Sequence, residues 1–449
     1  MIQTIRNAWK VPELRNKLMF TVFALLIFRV GSAIPVPFIN TDFLSDYIQS
    51  QSASIFGLLN VMSGDAFSQA TVFALSIQPY INSSIIIQLL TIAIPALERL
   101  QKEGGEEGKK KIAAITRYAT VAIALIQAFG YYTFIRANSF NGQDLLTAKG
   151  VWPAFVIIAA FVAGSAFLMW LGEQITEFGV GNGISIILFA GIVGRVPNMV
   201  YTIYAGVIAW MNGADPKSAT VLHPAFILLI AAGMLLLVAF IVFMDNSERR
   251  IPVQYAKRVV GRKMYGGQSS HLPIKVNMSG VLPIIFAQSI ASIPATIGMF
   301  VPSAQTEGSG WNTFLKVFDS RGWVYGIVYF LLIVMFSYFY NTIQFNPVEV
   351  ANNLKKNGGF VPGFRPGKPT SDFLSKVVSR ITMFGALYLA VVALLPTIVG
   401  NIMMAAGSSA GRSLAIGGTS VIIVVGVALE TVKALEAQLM MRHYKGFLE

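Results

Sequence analysis

The 449-residue chain has no cysteine. Disulfides, thiolate nucleophiles and cysteine-bound metals are excluded with it. Histidine is scarce: His223, His271 and His443 are the only three, each at or beyond the end of an apolar run, and none belongs to a His-Glu-x-x-His pair. Charge is thin, because Asp, Glu, Lys and Arg make up 12% of residues against roughly 25% in soluble domains. No acid stands at mid-depth in any long apolar run; Arg29 lies in the first, Arg195 near the outer end of the fifth, and Glu430 and Lys433 at the inner end of the last. Proton- or sodium-coupled transport and aspartate-based intramembrane proteolysis both need ionisable groups near the bilayer midplane, so both are disfavoured. A Gly-x-x-x-x-Gly-Lys-Ser/Thr nucleotide loop is missing, and Gly179-Val180-Gly181-Asn182-Gly183 follows a helical run rather than a strand, which makes it a tight turn. Neither enzyme activity nor a cofactor or metal is expected.

What the chain has is apolar sequence, 55% of it. Ten runs stand out: Leu18–Ile34, Val72–Ile94, Ile112–Ile135, Val151–Leu171, Ile184–Val207, His223–Met244, Met278–Val301, Val324–Ile343, Val377–Val399 and Leu414–Thr431. A hydrocarbon core about 30 Å thick takes ~20 apolar residues per helix. Barrel strands alternate in polarity over ~10 residues, and these runs are longer and apolar all round. The expectation is an all-α polytopic membrane protein with ten transmembrane helices.

Lys and Arg gather on every second connection, which sets orientation by the positive-inside rule. Arg6, Lys10, Arg15 and Lys17 precede the first run, while residues 36–70 hold no base and carry Asp42, Asp46 and Asp65. Residues 95–111, 245–277 and 344–376 are basic, and both termini are therefore expected in the cytoplasm. One connection dissents: Gly172–Gly183 should be cytoplasmic, yet holds Glu173 and Glu177 and no base. Acids contribute little to orientation, so the assignment stands. Gly31-Ser32-Ala33 resembles a signal-cleavage site, but the apolar run before it is too long and contains Arg29.

Five runs fall in residues 1–207 and five in 208–449. An odd number per half implies, if the halves are related, opposite orientations in the membrane with the working site between them. Within residues 54–69, the stretch Ile55-Phe56-Gly57-Leu58-Leu59-Asn60-Val61-Met62 is apolar but too short to span. It is either an external amphipathic helix or one folded back into a cavity. The second run is unusually polar, with Gln78, Asn82, Ser83, Ser84 and Gln88 in eleven residues. That density favours a wall facing water or another polypeptide over ordinary helix contact.

Several strings together resemble one family, the SecY family of protein-conducting channel subunits, to which the endoplasmic reticulum translocon alpha subunits are related. They are Ile77-Gln78-Pro79-Tyr80-Ile81 with Ile85-Ile86-Ile87-Gln88-Leu89-Leu90; Trp170-Leu171-Gly172-Glu173-Gln174-Ile175-Thr176-Glu177 running to Gly181-Asn182-Gly183-Ile184-Ser185; His271-Leu272-Pro273-Ile274-Lys275-Val276-Asn277; and Asn353-Leu354-Lys355-Lys356 with Phe360-Val361-Pro362-Gly363 and Arg365-Pro366-Gly367. The resemblance implies two inverted five-helix halves around a central hourglass pore with a short plug helix. It implies a pore ring of Ile77, Ile81, Ile184, Leu188, Ile285 and Leu395, and it turns the Ile55–Met62 stretch into the plug. A lateral gate is implied between the second and third spans and the seventh and eighth, with Gln127 and Asn277 at polar gate positions and Ser83, Ser84 and Gln88 nearby.

Loops as long as 245–277 and 344–376 are uncommon unless functional. Positive-inside topology and contact with anionic lipids explain isolated bases. Clusters such as Arg249, Arg250, Lys257, Arg258, Arg262, Lys263, Lys355, Lys356 and Arg365 suit phosphate backbones and acidic protein faces. The partners implied by resemblance are the SecA ATPase, ribosomal RNA, SecE and SecG subunits, signal peptides and nascent chains, in a bacterial cytoplasmic membrane. The expected function is a passive, gated channel for unfolded secretory chains that also releases hydrophobic segments sideways. An inverted-repeat carrier of a small solute and a purely structural scaffold are the alternatives.

Overall fold

A chain in hydrocarbon must satisfy every backbone amide within itself, so apolar runs of this length have helix as their only open structure. The computed structural model describes residues 2–50, 60, 63–140, 143–212, 224–255, 258–260, 263–265, 269–298, 300, 310–317, 322–405 and 411–445. Its helices are α1 (Ile2–Lys10), α2 (Pro12–Gly31), α3 (Thr41–Ser50), α4 (Gln78–Ala93), α5 (Pro95–Lys102), α6 (Gly105–Ala137), α7 (Val151–Phe178), α8 (Gly183–Val193), α9 (Val196–Met211), α10 (Pro224–Asn246), α11 (Leu282–Ala291), α12 (Ile293–Gly298), α13 (Gly310–Val317), α14 (Trp323–Gln344), α15 (Pro347–Lys356), α16 (Lys368–Ala405) and α17 (Gly411–Lys445).

Helix occupies each of the ten predicted runs, but ten unbroken spans are not what forms. Among the described residues, Gly105–Ala137, Val151–Phe178, Trp323–Lys356 and Lys368–Ile402 are long and apolar enough to cross alone; α4 joins them if counted with α5, bent 104° from it. Proline makes the breaks. The fifth run splits at Gly194-Arg195, where Pro197 starts α9, and the seventh at Ser292, just before Pro294. A ring nitrogen cannot donate and its Cδ crowds the preceding turn, so Pro belongs at helix starts. The second apolar run begins at Val72, yet 71–77 is a series of turns with positive φ at Ala70 and Ser76, and Pro79 opens the helix.

The largest buried cluster joins α2, α4, α7, α8, α10, α11, α14, α16 and α17 through residues such as Ile81, Leu171, Leu188, Ile285, Phe336, Leu389 and Ile423. A second, on the outer side, packs Val36, Leu44 and Phe67 against Tyr131, Phe134 and Phe161. The outward face is equally apolar: on α14, Trp323, Ile327, Leu331 and Met335 are exposed at four-residue spacing. A stripe like this, with further exposed apolar side chains on α2 and α6, suits a hydrocarbon surround. Of the two acids in the dissenting connection, Glu173 is paired: Arg117 Nε on α6 reaches its Oε1 at 2.9 Å.

One departure from all-α lies in the two long basic loops. Residues 245–277 form a hairpin, β3 (Glu248–Tyr255) against β6 (Ser269–Lys275), register Ile251↔Leu272; β4 (Arg258–Val260) and β5 (Lys263–Tyr265) pair within it. The short strand β7 (Gly359–Phe360) adds to β3 through Gln254↔Phe360 and Tyr255↔Gly359, so the two long loops share one sheet, ordered β6-β3-β7. (A two-residue pair on the outer side, β1 at Ser139–Phe140 with β2 at Gln143–Asp144, precedes them.) Alternation along β3 buries Ile251 and Val253 on a small core with Ile274, Ala351, Val361, Leu374 and Val378.

Candidate functional site

Four of the ring positions expected from the resemblance, Ile77, Ile81, Ile184 and Leu188, fall at two helix starts. Ile77 is the residue before α4, and Ile81 follows one turn on. Asn182 caps α8, its Oδ1 accepting from Ile184 N at 3.0 Å and Ser185 N at 3.4 Å, which fixes Ile184 in the first turn and Leu188 in the second. Close approach of α7 to α8 depends on glycine: a Cβ on Gly172 would sit 3.3 Å from Ile77 Cδ1, and one on Gly183 would collide with the Gly172 carbonyl. Ile285 comes from α11. Ile77, Ile81, Leu188 and Ile285 are at most 3% exposed in one cluster, and Ile184 packs on it half-buried.

Leu395 does not join them. It lies on α16 with 42% of its surface exposed and outside the cluster. The last helix instead brings Ile422 and Ile423 into that cluster, nearly fully buried. Hydropathy could not have chosen between them, because 385–399 and 421–425 are apolar on every face. A constriction of branched apolar side chains offers ions no ligands, and such constrictions gate by dewetting.

Beside the waist is a polar seam. A cavity of about 30 Å³ is lined by Phe67, Ala74, Leu75, Ser76, Gln78, Asn82, Gln127, Ser292 and Thr296, between α4 and α6 on one side and α11 and α12 on the other. It is large enough for water. Ser292 Oγ donates to Ser289 O at 2.7 Å and Thr296 Oγ1 to Ser292 O at 3.1 Å, whereas Ser76 Oγ, Gln288 Oε1 and Ser289 Oγ are buried with no protein partner. Unpaired buried polar atoms cost about 1–3 kcal/mol each, so this contact is not a tightly bonded one. Phe129 and Phe300 stack across the same pair of elements, with centroids 6.3 Å apart.

The expected gate residues divide. Gln127 lines the cavity. Ser83 turns to α6 and donates to Thr116 O at 2.8 Å; Ser84 is half-buried; Gln88 lies farther along α4, its Oε1 buried and unpartnered. Asn277 is elsewhere. Its Nδ2 donates to Asp245 Oδ1 at 2.8 Å, and Lys433 Nζ donates to Asp245 O at 3.1 Å, tying the end of α10 to α17. Sequence reasoning misses Ser292 and Thr296 because the seventh run looks continuous, and only Pro294 hints at the turn that exposes them.

Of the expected plug, Ile55, Phe56, Gly57, Leu58, Leu59, Val61 and Met62 lie outside the described residues. Asn60 is buried and ties down the stretch leading to Ser68: its Nδ2 donates to Asp65 Oδ1 at 2.9 Å, and its Oδ1 accepts from Ser68 N at 2.8 Å. Asp65 also meets Arg195 Nε at 3.0 Å. Arg29 Nη2 donates to Gly194 O at 3.3 Å.

On the sheet of the two long loops, Arg249 and Arg250 are exposed on β3, Arg250 with Glu248 at 2.7 Å. Lys355 and Lys356 end α15 exposed, and Arg365 is exposed beyond β7. Arg258 and Lys263 belong to β4 and β5; Lys257 and Arg262 lie outside the described residues.

The SecY family profile matches residues 71–432. A protein translocase subunit SecY of Streptomyces galbus is 43% identical over the whole of both chains, and that of Mycobacterium tuberculosis strain H37Rv is 41% identical, again over the whole of both. A solved protein-conducting channel superposes with a TM-score of 0.63 at 18% identity, covering 94% of this chain and 92% of its own. A SecY channel whose plug domain stabilises the closed state and maintains a membrane seal gives 0.61 at 17% identity, with the same coverage. Sec61 from a canine ribosome–channel complex gives 0.59 at 17% identity, also over 94% and 92%.

Proposed function

Because the chain belongs to the SecY family, we propose that it is a gated protein-conducting channel, passing unfolded secretory chains through the aliphatic waist and releasing hydrophobic segments through the polar seam. The observation that carries this is the union of Ile77, Ile81, Leu188 and Ile285 in one buried cluster, next to a cavity lined by Asn82, Gln127 and Ser292. Aliphatic groups make no specific bonds, so they accept any passing side chain while leaving ions unsolvated. Leu395, the sixth position expected from the resemblance, lies outside that cluster, to which its helix contributes Leu389, Val392 and Ala393.

At the seam each segment chooses between water and lipid. A central Leu or Ile gains roughly 0.3–0.6 kcal/mol in lipid, whereas Asp, Lys or Arg costs roughly 2.5–3.5. About ten apolar residues therefore suffice to leave sideways, and one central charge cancels much of the gain. The halves 1–207 and 208–449 are read as the two shells that part along this seam. The protein does no chemistry of its own in this reading: work comes from chain elongation on a ribosome or from a SecA-type motor. Exposed Arg249, Arg250, Lys355, Lys356 and Arg365 suit ribosomal RNA phosphates and acidic motor faces. SecE and SecG subunits and anionic lipids are further partners, in a bacterial cytoplasmic membrane with both termini inside. A small-solute carrier would need polar or charged ligands at the waist, and Ile77, Ile81, Leu188 and Ile285 supply none.

The absence of cysteine makes the test clean. Cysteines replacing Ile81 and Ile285 are introduced together, and a stalled secretory chain is cross-linked in place. Contact with both is expected; a chain that crosses the membrane while touching neither ends the proposal.

A further inference from the structure

Two of the arginines that stand within the apolar runs, Arg29 and Arg195, converge on one spot, the break between α8 and α9. Arg29, from α2, donates to Gly194 O at 3.3 Å, just past the C-terminal end of α8 and its negative dipole end. Arg195, the next residue, turns to the segment that approaches α4 and meets Asp65 at 3.0 Å. Gly64 has φ +68°, and a Cβ there would lie 2.6 Å from Gly191 O, so the approach segment rests backbone to backbone on the last turn of α8. Asp65 itself has φ 71° and is held by Asn60, with Asp65 N donating to Asn60 O at 3.0 Å. A left-handed conformation on a non-glycine residue persists only where its surroundings impose it.

Both ends of this contact lead to the waist. From Asp65 the chain runs through Thr71, Phe73 and Leu75, all buried, into Ile77 and Ile81. From Arg195 it runs back along α8 to Leu188 and Ile184. We infer that the Asp65–Arg195 ion pair is a clamp that holds the outer ends of two waist-forming elements together, and that it sets how often the resting waist opens. Asp65 and Arg195 are positioning residues: neither lies in the aliphatic cluster. Their side chains are 21% and 33% exposed, enough for solvent to weaken the pair without dissolving it. Arg29 holds the α8 end of the clamp in place.

This inference rests on the channel reading, and one bilayer experiment separates the two. The full chain, in its native complex, is reconstituted and its resting ion permeability recorded, with Ile81→Asn as the reference for a wetted waist. Asp65→Asn and Arg195→Gln are each expected to raise the resting open fraction roughly two- to fivefold, the scale of a partly exposed pair. The Asp65→Asn/Arg195→Gln double variant should leak no more than either single one, and Arg195→Lys should stay near the parent. Leak from Ile81→Asn with none from the neutral variants, or additive leak in the double variant, overturns the clamp alone. No leak from Ile81→Asn removes the channel reading beneath it.

Discussion

Gln127 and Asn277 are both amides at predicted gate positions, yet they do different jobs. Gln127 faces a water-sized cavity at the seam, while Asn277 donates to Asp245 at 2.8 Å near the cytosolic end of α10. A segment entering the seam must strip Gln127 of water, at a cost of about 1–3 kcal/mol. Gln127→Leu removes that cost and is expected to lower the hydrophobicity a signal needs, by roughly two or more leucines at 0.3–0.6 kcal/mol each. Asn277→Leu should leave the threshold unchanged and lower thermal stability, since it strands the Asp245 carboxylate beside Lys433 alone. Insertion assays with signals of graded leucine content read both, and a threshold shift from Asn277→Leu would contradict the assignment. At this scale the sequence is a partial guide. Resemblance picks Ile77, Ile81, Leu188 and Ile285, which do cluster, but it nominates Leu395, whose run offers no polar face to say which side is buried.

Elements are legible where chain chemistry is local and obscure where it is not. Ten apolar runs announce their helices because hydrocarbon permits nothing else. The break at Ser292 and the delayed start at Gln78 depend on Pro294 and Pro79, visible in sequence but silent about whether each kinks a span or ends it. The sheet of the two long loops is invisible in sequence. Residues 245–277 read as a Gly- and Pro-rich basic loop, and the pairing of Gln254 with Phe360 joins positions that no short-range pattern connects. Because the chain has no native thiols, Gln254→Cys with Phe360→Cys should form an oxidised cross-link in high yield. Cysteines at Arg249 and Lys355, absent from that register, should not. Equal yields from both pairs would dissolve the shared sheet.

The molecule as a whole is apolar inside and out: a large buried core is surrounded by exposed apolar side chains on α2, α6 and α14. The expected orientation rests on counting Lys and Arg, and of the two acids in the dissenting connection Glu173 is paired with Arg117. Function at this scale depends on which partner leans on the basic platform. Arg365→Glu is expected to impair motor-driven export several-fold more than membrane insertion of a hydrophobic segment, measured side by side in inverted vesicles. Equal loss of both, or of neither, would reject a motor contact there.

The shared sheet has a mechanical corollary. Strands from both long loops are bonded to each other and seated on Leu374 and Val378, near the base of α16. A force on either loop is therefore delivered as a torque to one stiff lever, not absorbed by slack chain. That lever continues into α16, whose main packing partner is α17, the helix carrying Ile422 and Ile423. A push on either loop thus has a continuous packed route to the main buried cluster.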